Sequence, residues 1–269
     1  IPKELFPLGN KPAIHYILEE AKNALINNIL CITSPHKESL VRYLKYTHKQ
    51  QEVTLLPEEQ YRLNCLDEIN SFMHYKFFTQ QKALGVGNAL YQAVKDINSH
   101  DYFAMAYPDD IIIDKNHGLA QLLNIHKLYE CSVVAIQKIP ADKVHLYGMI
   151  DGKNLQENSL FKINNIIEKP TLNETPSFYG IVGRYILSTK IFEFLSQDPK
   201  KCFMSALLKL ISSNHLVLGI VIEENMRLDI GTTTGWIEAV NKINDTSNII
   251  HKINPLFLDQ KNIIEQIQK

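Results

Sequence analysis

Two hundred and sixty-nine residues can bury one large α/β core or two modest ones. Hydrophobic residues make up 45% and charged residues 21%, with a formal net charge of −1. That balance excludes a disordered chain, gives no general attraction to nucleic acid or an anionic membrane, and contains no apolar run near the ~18 residues that cross a bilayer.

In chain order, apolar residues at three-to-four spacing predict a helix over 13–26, from Ala13, Ile14, Ile17, Leu18 and Ala21. Asn28–Thr33 reads as a short buried strand stopped by Ser34-Pro35, and 40–46 as the next helix. The polar stretch at 44–64 is expected to be a partly helical surface excursion. A strand at 75–79, a helix at 88–97, a strand at 102–107, a helix at 119–129 and a strand at 132–136 follow. This rhythm predicts a mixed, mainly parallel sheet with helices on both faces. Strands at 147–150, 163–167, 181–187 and 216–223 have fewer helices between them, which predicts an antiparallel or mixed extension of the sheet. A last helix is expected over 236–243. One domain over 1–269 is the reading.

Cys31, Cys65, Cys131 and Cys202 form no C-x-x-C pair, which argues against zinc and for free thiols in a reducing cytoplasm. No secretory leader is visible. The ten histidines have no ligand spacing, so packing or surface roles are expected.

Several short motifs carry chemistry. Lys3-Glu4-Leu5-Phe6-Pro7-Leu8 opens the chain, ahead of Lys11-Pro12. Gln80-Gln81-Lys82-Ala83-Leu84-Gly85-Val86-Gly87-Asn88 follows a strand and opens a helix, where glycines let a ligand approach the backbone. Pro108-Asp109-Asp110 ends a buried strand, and a carboxylate there points into the ligand crevice of an open α/β sheet. Asp110, beside it, reads as a solvated turn residue. Tyr147-Gly148, Glu168-Lys169-Pro170 and Gly183-Arg184-Tyr185 combine an acceptor-only carboxylate with a point-charge ammonium, a set suited to hydroxyls and phosphate. Arg227-Leu228-Asp229-Ile230-Gly231 supplies a second strand-end carboxylate.

In order and spacing across about residues 1–245, these motifs resemble the bacterial UTP–glucose-1-phosphate uridylyltransferases, of the nucleotide-diphospho-sugar transferase-like, Rossmann-related α/β fold. The resemblance implies Mg²⁺ on Asp109 and Asp229, and phosphate neutralisation by Lys3 and Lys169. It implies uracil recognition by Gln80 with Gly85 and Gly87, and sugar recognition by Tyr147, Gly148, Glu168 and Gly183. Arg227 lies next to Met226, where the family has lysine; Arg227 is expected to face away from that position. Gln81, Leu84, Phe178 and 201–206 also depart from the family pattern. The family's first strand and glycine-rich loop have no counterpart ahead of Lys3, so little activity is expected of these residues alone. The implied partners are UTP and glucose 1-phosphate, with no nucleic acid and no membrane; a homo-oligomer is left open. Two readings stand beside the enzyme: a degenerate relative serving as a binding or assembly module, and a pyrophosphorylase for another nucleotide sugar.

Overall fold

The computed structural model describes residues 1–46, 57–113, 118–156, 159–198, 200 and 202–243. A small antiparallel ladder, β1 (Pro7–Leu8) with β2 (Lys11–Pro12), leads into α1 (Ala13–Asn23). Next come β3 (Asn28–Thr33), α2 (Glu38–Leu44), α3 (Pro57–Phe72), β4 (His74–Thr79), α4 (Val86–Tyr91), α5 (Val94–Ile97), β5 (Tyr102–Ala106) and β6 (Asp110–Ile112). They are followed by α6 (Leu119–Tyr129), β7 (Ser132–Lys138), β8 (Gly148–Gln156), β9 (Leu160–Glu168) and β10 (Tyr179–Ser188). The last are α7 (Ile191–Gln197), α8 (Phe203–Ser212), β11 (Val217–Val221), β12 (Arg227–Asp229) and a helix α9 at 233–243. The helix expected over 88–97 is two short ones, broken at Gln92 and Ala93. Of the excursion expected at 44–64, residues 47–56 lie outside the described residues, and 57–64 belong to α3.

The sheet departs from the mainly parallel expectation. Its strands run in the order β5-β10-β7-β11-β9-β8, and β8 returns to β10 at the single pair Gly180–Met149. Among the described ladders only β3 with β4 and β7 with β11 are parallel; β10 with β5 and β7, β11 with β9, and β8 with β9 are antiparallel. The result is a mixed sheet that curls nearly shut, not an open doubly wound one. The physical reason is in the second half: only three residues separate β8 from β9, which allows antiparallel pairing alone, whereas a parallel neighbour needs a long crossover.

Alternation places the core. Along β7, Val133 and Ala135 face one cluster and Val134 and Ile136 another; along β10, Val182 and Ile186 face the first, and Ile181, Tyr185 and Leu187 the second. α1 and α6 cover the first face through Ile14, Ile17, Leu18, Ala21, Leu119 and Leu122. α7 and α8 cover the second, with Phe203, Ala206, Leu207 and Leu210 at helical spacing.

One charged pair sits inside this packing. Arg184, in the middle of β10, is fully buried and donates from Nε and Nη2 to both oxygens of Glu20 on α1, at 2.8–2.9 Å. Its Nη1 donates to the carbonyls of Gly183 at 2.9 Å and Tyr107 at 3.3 Å. Glu20 Oε1 also accepts the Leu119 N–H at the start of α6, at 2.8 Å. Burial works against the Arg184 charge, and Glu20 more than offsets it, raising the guanidinium above its ordinary value. Removing one partner strands a buried charge. Glu20→Ala or Arg184→Ala is expected to cost about 3–5 kcal/mol in urea unfolding followed by circular dichroism, whereas Glu20→Leu combined with Arg184→Met recovers most of that loss.

Candidate active site

Two strand ends bring the paired aspartates together. β6 and β12 run antiparallel with Asp110 opposite Asp229, and the Ile230 N–H donates to the Asp109 carbonyl at 2.9 Å. A Cβ on Gly231 would lie 3.0 Å from Asp229 Oδ1 and 3.4 Å from Asp109 Oδ2, so the two carboxylate oxygens are no further apart than those two lengths laid end to end. The Gly231 N–H donates to Asp229 Oδ1 at 2.9 Å, which orients that carboxylate. The two carboxylates therefore lie side by side at neighbouring strand ends, on a glycine that leaves room for them.

Lys3 reaches the same place. It stands on a 3₁₀ turn, Lys3–Leu5, and its ammonium pairs with Asp109 Oδ2. The turn is clamped on both sides. Buried Glu4 is held by Lys37 at 2.5 Å, Phe6 packs edge-on to Trp236 with ring centroids 5.6 Å apart, and Trp236 Nε1 donates to the Pro7 carbonyl at 3.1 Å.

Asp110 is not the solvated turn residue expected. It is 5% exposed, accepts the Gly183 N–H at 2.7 Å through Oδ2, and takes Arg227 Nε at 2.6 Å through Oδ1. The reason is the alternation of β6, which turns this carboxylate inward, and the lack of a side chain at position 183. A Cβ there would lie 2.8 Å from both Asp110 Oδ2 and Tyr107 Cβ. Arg227 also donates to Gln137 Oε1 at 3.0 Å, the Tyr147 hydroxyl at 3.4 Å and Asp229 Oδ2 at 3.4 Å, with its guanidinium 5.6 Å from the Tyr147 ring centroid. Met226 packs into the first core cluster, and Arg227 is the residue turned to the carboxylates, sharing a strand face with Asp229. Burial opposes the Arg227 charge and Asp110 outweighs it, so its guanidinium is held above its ordinary value.

A second group forms where β8 meets β9. Gly148 pairs with Glu168, and a Cβ on Gly148 would lie 3.0 Å from Glu168 Oε2 and 2.9 Å from Met204 Cε. Lys169 takes the left-handed backbone (φ 52°), with its N–H donating to the Tyr147 carbonyl at 2.9 Å. Tyr107 connects the two groups. Burial pushes its phenol up to about 12; a hydrogen bond with Tyr185 pulls down, and Asp109, Glu168 and Asp110 add to the rise. The sequence does not single out Tyr107 or Gln137, and gives Met204 only within the departing segment 201–206. Only the placement of Tyr107 just before Pro108-Asp109 gave a signal.

Gln80 and the two glycines form a separate turn at the end of β4. The Gln80 N–H donates to the Thr33 carbonyl at 2.8 Å, and its side-chain amide donates to Asn88 Oδ1 at 2.9 Å and the Gly85 carbonyl at 3.2 Å. Gly85 has φ +89° and its missing Cβ faces open space, while Gly87 is buried in α4. Among the described residues no three His, Cys, Asp or Glu side chains converge as a complete metal cage. Two facing carboxylates are instead the donor set that suits a cation completed by phosphate oxygens and water.

A family model described as nucleotidyl transferase matches residues 1–246. The chain belongs to the nucleotidyl transferase family. Among curated members, a UTP–glucose-1-phosphate uridylyltransferase of Mycoplasma pneumoniae is 34% identical over 200 residues, covering 74% of this chain and 68% of the relative. Another, of Pseudomonas aeruginosa, is 30% identical over 249 residues, covering 90% and 88%. Among solved structures, a UDP-glucose pyrophosphorylase complexed with UDP-glucose superposes with a TM-score of 0.81 at 28% identity, covering 91% of each chain. Within this nucleotidyl transferase, the described residues contain no helix long and apolar enough to cross a membrane.

The two adjacent aspartates are expected to separate in stability measurements. Asp109→Ala removes a partly exposed pair and should cost less than about 1 kcal/mol. Asp110→Ala leaves the Arg227 guanidinium buried and should cost about 3 kcal/mol or more, read by urea unfolding. The phenol of Tyr107 gives a pH signature. Its folded value, about 12, lies above the ~10 of a free phenol. Its contribution is therefore complete below pH ~10 and is lost as pH rises through about 12. Tyr107→Phe should flatten the alkaline fall of the urea midpoint over that window.

Proposed function

We propose that this nucleotidyl transferase joins UTP and glucose 1-phosphate to give UDP-glucose and pyrophosphate. The observation that supports it most is the convergence of Asp109 and Asp229 across Gly231, with Lys3 on one carboxylate and the Arg227 clamp on the other. The relatives' names and the likeness to a UDP-glucose pyrophosphorylase bear in the same direction.

Asp109 and Asp229 would hold Mg²⁺, which when bound neutralises and orients phosphate oxygens. The chain's own residues bind and align. A phosphate oxygen of glucose 1-phosphate attacks the α-phosphorus of UTP, the new P–O bond forms as the bond to the β-phosphate breaks, and pyrophosphate leaves. No covalent enzyme intermediate is needed, so positioning and charge neutralisation supply the catalysis. Lys3 and Lys169 neutralise phosphate charge. Glu168, an acceptor-only group over Gly148, receives sugar hydroxyls. Tyr147 and Gly148 lie beneath the sugar, and Gln80 with Gly85 and Gly87 faces the base. Gly183 is buried behind them with its N–H on Asp110, and so acts as a support and not as the sugar contact the resemblance implies. Arg227 fixes the direction of Asp229.

The test is a coupled pyrophosphate-release assay with Mg²⁺, UTP and glucose 1-phosphate, on the protein as the cell makes it. Asp229→Asn should lower kcat about 10²–10³-fold, the scale of losing one preorganised electrostatic contact. Glu168→Ala should raise KM for glucose 1-phosphate more than for UTP. Absence of turnover in a folded wild-type protein would overturn the proposal.

A further inference from the structure

Lys3 occupies a telling position. Its ammonium sits on Asp109 Oδ2, the oxygen that faces Asp229 Oδ1 across Gly231. The backbone carrying it is fixed by the Glu4–Lys37 pair and by the packing of Phe6 on Trp236. The side chain itself is 40% exposed, so its ammonium can move while the turn stays. The other cation near the carboxylates, Arg227, is committed elsewhere: its short contact is to Asp110, and its contact with Asp229 is the longer one.

We propose that Lys3 is a built-in counter-ion that holds the cation's place on Asp109, so that it competes with a free divalent cation and yields to one arriving with a triphosphate. This rests on the reading of Asp109 and Asp229 as cation ligands. A divalent ion between the two carboxylates and an ammonium on the same oxygen repel each other strongly in a partly desolvated cleft. A bare cation must therefore displace Lys3 to solvent. A cation bound to triphosphate brings anionic oxygens that accept the displaced ammonium. The same lysine thus opposes the free ion and favours the ion–nucleotide complex, a coupling of opposite sign for the two ligands.

The experiment titrates Mn²⁺ without nucleotide and counts free Mn²⁺ by electron paramagnetic resonance, for wild type, Lys3→Met, Lys3→Arg and Asp109→Asn. Lys3→Met is expected to bind Mn²⁺ about 5–10-fold more tightly than wild type, since a competing positive charge has gone. Lys3→Arg, which keeps that charge, should stay near wild type. Calorimetry with UTP in EDTA should show weaker binding to Lys3→Met. Lys3→Gln repeats the series if Lys3→Met does not fold. Unchanged or weaker Mn²⁺ binding in folded Lys3→Met, with Asp109→Asn still losing the ion, overturns the counter-ion role alone. Full Mn²⁺ affinity in Asp109→Asn overturns the cation-ligand reading and this inference with it.

Discussion

The fully buried guanidinium of Arg184 is the point on which this structure turns. It makes five hydrogen bonds, three to Glu20 of α1 and one each to the carbonyls of Gly183 and Tyr107. One side chain thereby fixes the first long helix, the start of α6 through the Leu119 N–H on Glu20, and the middle of β10. Gly183, next to it, gives its N–H to Asp110, and Asp110 holds Arg227. The charges alternate from Glu20 to Arg184, Asp110, Arg227 and Asp229, so the outermost, solvent-facing carboxylate inherits its orientation from a pair deep in the core. Such a chain is favourable only when every member is satisfied, because a stranded charge at this depth loses its desolvation energy without return.

Much of this was readable from the amino acids, and the divisions are physical. The strands at 28–33 and 132–136, the second extended in the structure to Lys138, and the helix at 119–129 announce themselves through apolar content and spacing. Strand direction does not announce itself. A run such as Leu160–Glu168 has the same alternation whichever way its neighbour runs, and only the short link to β8 dictates the antiparallel ladder. Side-chain alternation says that neighbours 109 and 110 part company, but not which is inside. That depends on β6 starting at Asp110 and on a glycine, distant in sequence, lying opposite.

The candidate site was legible where a motif fixes backbone and side chain together. Asp229-Ile230-Gly231 is such a case: the glycine serves both the turn and the approach of the carboxylates. It was illegible where contacts come from afar. Nothing near Met204 shows that its methyl group ends beside Gly148 and Glu168, because that meeting needs α8 to pack across the β8–β9 ladder. Tyr107 and Tyr185 are similar. Their phenols are shifted by burial that only the closed side of the sheet creates.

The curl of the sheet has its own consequence. It closes through one residue pair, Gly180 with Met149, and a Cβ on Gly180 would lie 2.7 Å from Ile139 and 3.1 Å from Tyr147. A seam held by so short a ladder opens at lower free energy than the ladders on either side of it. The β8–β10 seam is therefore the place where the curl loosens most readily, while the long β8–β9 ladder stays paired. Slow, rare widening there would show as faster amide exchange at Met149 and Gly180 than along the β7–β11 ladder.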